Sequence, residues 1–301
     1  MVRVLARPGL LVRRRLEAFE RHLPRAARGE VDGIHDARVA SRRLREVLLL
    51  LEEVAGTVAL EELRQGFREL TRPMGPVREL DVALADLAEL EPACPEHAQA
   101  IAAVREAAQR ERESAARHLG RALAPLHPGH LVRQAAGLAL RINSPEERIR
   151  CALLAAGQLQ ERDTALQDAV LAAGSIYAAG PLHDLRIALK KFRYALEVVE
   201  ALGRLRLMAT LRRLKALQDL LGQLHDLHVL STRVRDAGAE ERGARRRKEL
   251  DAFATVIDDR IRQLHSSYLT ERETLVPVLR VARRAGQQLE KTPCTRPARS
   301  T

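Results

Sequence analysis

The stretch Ile34-His35-Asp36-Ala37-Arg38-Val39-Ala40-Ser41-Arg42-Arg43-Leu44-Arg45 returns 148 residues later as Leu182-His183-Asp184-Leu185-Arg186-Ile187-Ala188-Leu189-Lys190-Lys191-Phe192-Arg193. Every cation keeps a cation, and the His-Asp pair recurs. A second match follows at an offset of 147: Gly75-Pro76-Val77-Arg78-Glu79-Leu80-Asp81-Val82 against Gly222-Gln223-Leu224-His225-Asp226-Leu227-His228-Val229. Two ordered matches at nearly one offset describe two homologous halves joined near Asn143. They come from one duplication and not from a short-period array.

On a helical wheel at about 100° per residue, His35, Arg38, Arg42 and Arg45 fall within an arc of about 80°. Ala40, Leu44, Val47, Leu48 and Leu51 lie opposite. The second copy places His183, Arg186, Lys190 and Arg193 against Ala188, Phe192, Ala195, Leu196 and Val199. Each helix is therefore expected to pack one face and display a cationic ridge, flanked by Arg43 and Lys191. Like charges three and four residues apart cost helix stability. A row kept in both halves is best explained by an anion that covers it.

The rest of the chain reads as helix. Among 301 residues, 46% are hydrophobic and only 2% aromatic, with few strand formers. Such a composition favours helices and disfavours a β-sandwich or barrel. Pro and Gly punctuation predicts helices over about 9–23, 33–54, 58–90 (bent at Pro73–Pro76), 96–124, 130–142, 145–173, 181–202, 205–237, 239–269 and on to about Arg284. The first is expected to stop at Pro24. Ser144-Pro145-Glu146-Glu147 reads as a capping box. The expected organisation is a helical half over 1–143, a second over 144–285, and a disordered polar tail over 286–301.

Lys+Arg exceed Asp+Glu by 51 − 40 = 11. A surface this basic fits a polyanionic partner. Yet Trp is absent, and Phe and Tyr number 4 and 3. That argues against a nucleic-acid binder that stacks bases on aromatic platforms. Cys94, Cys151 and Cys294 are scattered, which gives neither a disulfide framework nor a metal-binding pair and fits a reducing cytoplasm. No apolar run approaches the roughly 20 residues of a membrane span. Glycine-rich phosphate loops and the common hydrolase motifs are also missing.

His35 and His183 fall in the first turns of their helices, where unpaired backbone N–H groups favour anions and, with the neighbouring arginines, oppose protonation of the ring. Both rings are expected to be largely neutral at pH 7. Four roles remain open for them: hydrogen-bond donor to an anion, metal ligand, covalent phosphate carrier, or a cap that only orders the turn. The His-Asp pairs at 35/36, 183/184 and 225/226 also occur in metal phosphohydrolases, but no second metal-ligand pattern accompanies them.

These residues resemble the signatures of the CHAD family, the conserved histidine α-helical domain. The first is His35-x-x-Arg38-Val39-x-x-Arg42-Arg43-Leu44-Arg45, and its partner is His183-x-x-Arg186-Ile187-x-Leu189-Lys190-Lys191-x-Arg193-Tyr194. Lys215-x-Leu217-Gln218-Asp219-x-Leu221-Gly222-x-Leu224-x-Asp226 and Gly75-x-Val77-Arg78-Glu79-Leu80-Asp81-Val82 are similar to the family's next stretches. Glu79 stands where the family usually has Asp, and His225 where Asn is commoner. The similarity spans about residues 8–285, as in a stand-alone member.

The resemblance implies an all-α fold of two four-helix bundles about a pseudo-twofold axis, with a basic groove that binds inorganic polyphosphate at cytoplasmic granules. It implies no catalytic residues, cofactor or metal, and leaves room for granule-associated protein partners. The implied contacts are His35, Arg38, Arg42, Arg45, His183, Arg186, Lys190 and Arg193, followed by Arg43, Lys191, Arg78, Lys215 and Tyr194. The rival readings are His-dependent phosphotransfer or metal phosphohydrolase chemistry, and nucleic-acid binding by charge alone.

Overall fold

The computed structural model describes residues 5–55 and 58–291. Among these, eleven α-helices and four short 3-10 turns make up the regular structure, and no strand is present. The helices are α1 (Pro8–Ala27), α2 (Val31–Ala55), α3 (Val58–Thr71), α4 (Met74–Leu90), α5 (Ala98–Leu123), α6 (Pro128–Arg141), α7 (Pro145–Ala173), α8 (Ala179–Gly203), α9 (Met208–Glu240), α10 (Ala244–Glu271) and α11 (Leu275–Glu290). The all-helical expectation therefore holds. None of these helices is long and apolar enough to cross a membrane.

Packing partners recur along the chain. α1 lies on α2 and α6, and α4 lies on α5; α7 lies on α8 and α11, and α9 lies on α10. One core of buried Leu, Val, Ile, Ala and Phe runs through both sets. The apolar wheel faces read from sequence are its floor: Leu44, Val47, Leu48, Leu51, Phe192, Leu196 and Val199 are all at most 1% exposed. The capping box forms as read, with Glu147 N–H donating to Ser144 Oγ at 3.2 Å and Ser144 N–H donating to Glu147 Oε2 at 2.8 Å.

Some boundaries differ from the sequence reading. α1 carries Pro24 inside its last turn and ends only at Ala27. The loss of one N–H there is tolerated because few hydrogen bonds remain beyond it. Gly29, at φ +77°, then makes the turn into α2. The bend expected at Pro73–Pro76 is a full break between α3 and α4. α9, by contrast, runs unbroken for 33 residues. The first half thus carries six helices and the second five, more than the four of a simple bundle. The tail was expected from residue 286, but α11 continues to Glu290 because Ala285, Gly286 and Leu289 extend its buried stripe. The remainder of that tail, 292–301, lies outside the described residues, as does Cys294.

Candidate functional site

α2, α4, α8 and α9 pack around one another in a cycle. Their pattern puts apolar residues inward, so the cations of α2 and α8 rise at the junction. Arg38, Arg42, Arg78, Arg186 and Lys190 are all half-buried. Cations of the two halves act on one another there. Arg42 and Arg38 of α2 both bear on Lys190 of α8, whose amine is pulled down to about 7. Burial is the largest cause, followed by Arg186 and Arg42; Asp226 opposes them. Burial, then Arg42, lowers Arg38 to about 10, against Glu79. Burial also lowers Arg186 despite Asp226, and lowers Arg45 with help from Arg42.

Two glycines lie beside these arginines. Arg38 Nη1 passes 3.5 Å from where a Cβ on Gly75 would stand. Arg186 Nε passes 4.0 Å from the equivalent point on Gly222. A Cβ at either glycine would lie in ordinary van der Waals contact with the guanidinium beside it. Gly75 and Gly222 are the first residues of the second repeated motif, so both motifs meet in space at each ridge.

The donors are only partly used. Arg38 Nη1 donates to the Thr71 carbonyl at 3.1 Å. That carbonyl is free because the Gly75 N–H, its ordinary helical partner, turns to Arg72 O at the break. Arg186 reaches Asp226 at 4.0 Å. The Nε groups of Arg42, Arg45 and Arg186 are buried without a hydrogen-bond partner among the described residues. Buried donors left unmade are costly.

The two ridge histidines differ. His35 keeps an exposed face, and burial of the rest, then Arg78 and Arg42, hold its ring below the ordinary range. His183 Nδ1 lies 3.3 Å from His225 Nδ1, so one ring donates and the other accepts. His225 is pushed down to about 4 by burial, then by Arg186, His183 and Lys190. Two carboxylates complete the surroundings. Burial raises Asp226 against Arg186, Arg78 and Lys190. Burial, with Asp226 and Glu89, raises Asp86 to about 7.

Other expected contacts stand elsewhere. Arg193 is 7% exposed and is tied to Glu197 Oε1 at 2.7 Å and Gln218 Oε1 at 2.9 Å. Arg43 and Arg15 meet the same buried Glu197, at 2.9 and 3.3 Å. Tyr194 is buried, with the Arg193 guanidinium 4.7 Å from its ring centre. These three, Arg43, Arg193 and Tyr194, belong to a structural ion network and not to an open ridge. A wheel assumes that the face opposite one core meets solvent. α8 is buried on every side from Phe192 to Val199, because α1 and α2 also cover it. Lys215 is exposed and pairs with Asp219 at 2.5 Å. Lys191 is exposed and helps stabilise the carboxylate of Glu46 on α2.

Sequence reasoning omitted His225 and Asp226 from the ridge set, although the second repeated motif contains both. Glu197 and Asp86 left no signal: each is one carboxylate in a helix rich in ordinary charge. No group of three or more His, Cys, Asp or Glu suited to a metal occurs among the described residues.

The chain is thus an all-helical scaffold in which two repeated His/Arg helices bring their cations together. The family model of the CHAD domain matches residues 10–235, and the chain belongs to that family. The family is associated with polyphosphate binding in general. Two solved structures are similar. The CHAD domain from the plant Ricinus communis has 23% identity and a TM-score of 0.57, over 98% of this chain and 95% of that one. PptA from Streptomyces chartreusis has 19% identity and a TM-score of 0.57, over 94% of this chain and 97% of that one. No curated protein matches the chain.

Proposed function

We propose that this protein binds inorganic polyphosphate in a basic groove between two homologous halves, without transforming it chemically. The observation that carries the reading is the cluster of half-buried Arg38, Arg42, Arg186 and Lys190, where burial first, then Arg186, Arg42 and Arg38, pulls the Lys190 amine down to about 7 against Asp226. A cluster whose cations outnumber the carboxylates facing them, Asp226 and Glu79 among these, is stabilised by a dense linear anion. Polyphosphate offers oxygens at short intervals and no bases, so it needs cations along a track and no aromatic stacking. Arginine supplies planar forks for those oxygens, and Lys190 a point charge.

The helix order and the paired glycines support a duplication about a pseudo-twofold axis, with halves at 1–143 and 144–290 and the two ridges as opposite walls. In this reading Arg38, Arg42, Arg78, Arg186 and Lys190 hold phosphates, with His35 and His183 at the feet of the ridges and Arg45 at one end. Lys191 and Lys215 extend the cationic surface outward. The protein resides in the cytoplasm, at polyphosphate granules.

The test is a titration with polyphosphate of defined length, at low and moderate salt, beside single-stranded DNA and RNA at equal phosphate concentration. Binding should weaken steeply with salt, because each neutralised phosphate releases counterions. A flat salt response sinks the groove, and equal affinity for nucleic acid reduces it to charge alone.

A further inference from the structure

Lys190 stands where the first ridge has Arg42. A guanidinium stays protonated, whereas an amine can give up its proton and become a nucleophile. Only five of the chain's 51 Lys and Arg are lysines, and the other four, Lys191, Lys215, Lys248 and Lys291, are exposed. Lys190 is half-buried and makes no hydrogen bond or ion pair among the described residues. Its nitrogen is not sealed, however. The Nε groups of Arg42 and Arg186 are buried without a partner, and Lys190 Nζ is not among such atoms.

The charges facing Lys190 are mostly positive. Arg186 lies one turn earlier on the same face of α8, at the roughly 5–6 Å between Cβ atoms that this spacing gives. Arg42 and Arg38 bear on it from α2, and Asp226 of α9 opposes them. Burial, then Arg186, Arg42 and Arg38, hold the amine at about 7. Much of it is therefore neutral in the free protein at neutral pH, where an exposed lysine is almost wholly protonated.

The same guanidiniums suit a phosphate group. A phosphate seat beside a neutral amine matches one class of reagent, the acyl phosphates, in which a single oxygen separates phosphorus from the acyl carbon. Phosphate held by Arg186 and Arg42 brings that carbon to the neighbouring nitrogen. We infer that Lys190 is a modification site for acyl phosphates, which seat their phosphate on Arg186 and Arg42 and transfer the acyl group to Lys190 Nζ. The nitrogen lone pair forms the C–N bond and the C–O bond to phosphate breaks. Inorganic phosphate leaves with that electron pair and with the proton the nitrogen sheds. The product is a neutral amide, so the centre of the second ridge loses its charge. Release of polyphosphate on acylation rests on the proposed function; the reaction at Lys190 does not.

The experiment incubates the full chain at neutral pH with acetyl phosphate or, separately, with the uncharged N-hydroxysuccinimide ester of acetic acid, and follows each lysine by peptide mass spectrometry. With acetyl phosphate, Lys190 should react at least about tenfold faster than Lys191, Lys215 or Lys248, since the gain in neutral amine exceeds the loss in basicity. Lys191, its neighbour in the chain, is the sharpest control. The preference for Lys190 over Lys191 should shrink several-fold with the ester, which offers the guanidiniums no phosphate. Polyphosphate added first should protect Lys190 and not Lys291. Lys190→Gln, uncharged like the acylated side chain, should bind polyphosphate roughly tenfold more weakly. Acetylation of Lys190 no faster than that of Lys191, or equal preference with both reagents, would overturn the site. Selective acetylation that polyphosphate fails to block would uphold the site and count against polyphosphate binding at this ridge.

Discussion

The two ridges share a sequence pattern, but their surroundings use it differently. In the first half Arg38 is anchored to a backbone carbonyl, and Arg45 at the far end has a buried Nε with no partner among the described residues. In the second half Arg186 leans on a carboxylate, and Arg193, the counterpart of Arg45, is locked to Glu197. Arg78 stands beside His35, whereas the same position opposite His183 is a second histidine, His225. The cause lies behind the ridges. The break at Pro73 frees the Thr71 carbonyl for Arg38, while unbroken α9 offers no such group to Arg186. A charge pattern thus fixes where cations stand, and the helices packed around it decide which stay available.

The largest expected effect strikes both ridges at their shared centre. Arg42→Glu with Lys190→Glu replaces two cations that act on each other across the junction. Polyphosphate affinity should fall at least about a hundredfold, since hydrogen bonds to charged groups contribute roughly 1.5–3 kcal/mol each. Helix content by circular dichroism should hold, and the melting temperature should not drop, because a depressed lysine marks a site that already strains against charge. Unfolding of this variant would show that these residues support the fold.

The second test crosses the unequal ridge ends. Arg193→Gln should destabilise the fold by about 3 kcal/mol, because it leaves a buried carboxylate short of its closest partner. Its folded form should bind polyphosphate within about twofold of wild type. Arg45→Gln should do the reverse, losing several-fold in affinity with a melting temperature nearly unchanged. Chemical denaturation and binding on the same two variants decide it. If both act alike, the two ends are equivalent and the contrast fails.

That contrast also marks what the sequence could disclose. Helical period alone put Leu44, Leu48, Phe192 and Leu196 in the core and Arg38, Arg42, Arg186 and Lys190 on the opposite faces of their helices, while the meeting of the two ridges was implied only by the family resemblance. Arg193 carries the same period and is buried. Its fate depends on α1 and α2, over 130 residues distant in sequence, and on Glu197, which no local pattern distinguishes. Proline punctuation misled at Pro24, since a helix end tolerates what its middle does not.

The last effect expected is on pH, and it separates the halves by chemistry. Lys190 occupies the place that Arg42 holds in the first half, and only the lysine can titrate near neutrality. In the free protein its amine sits at about 7, against 10.5 ordinarily. Between those values the unfolded chain binds the additional proton, so this group's contribution to stability rises with pH through the window and is lost as pH falls toward 7. A polyanion reverses the balance, since phosphate oxygens favour the ammonium. Binding then takes up a proton, and affinity should rise as pH falls. With the bound amine fully charged, the gain between pH 8 and pH 6 is about tenfold, most of it above pH 7. Lys190→Arg should remove most of this dependence while binding tightly throughout. His35→Gln with His183→Gln keeps hydrogen-bonding capacity without titrating. It should leave the Lys190 response and remove only a smaller gain below pH 7, to which His35, already held low by burial, Arg78 and Arg42, contributes. Titrating end groups of the ligand cancel when variants are compared with wild type on the same polyphosphate. A Lys190→Arg profile that overlays wild type would place Lys190 outside the contact and leave pH sensing, if present, to the histidines.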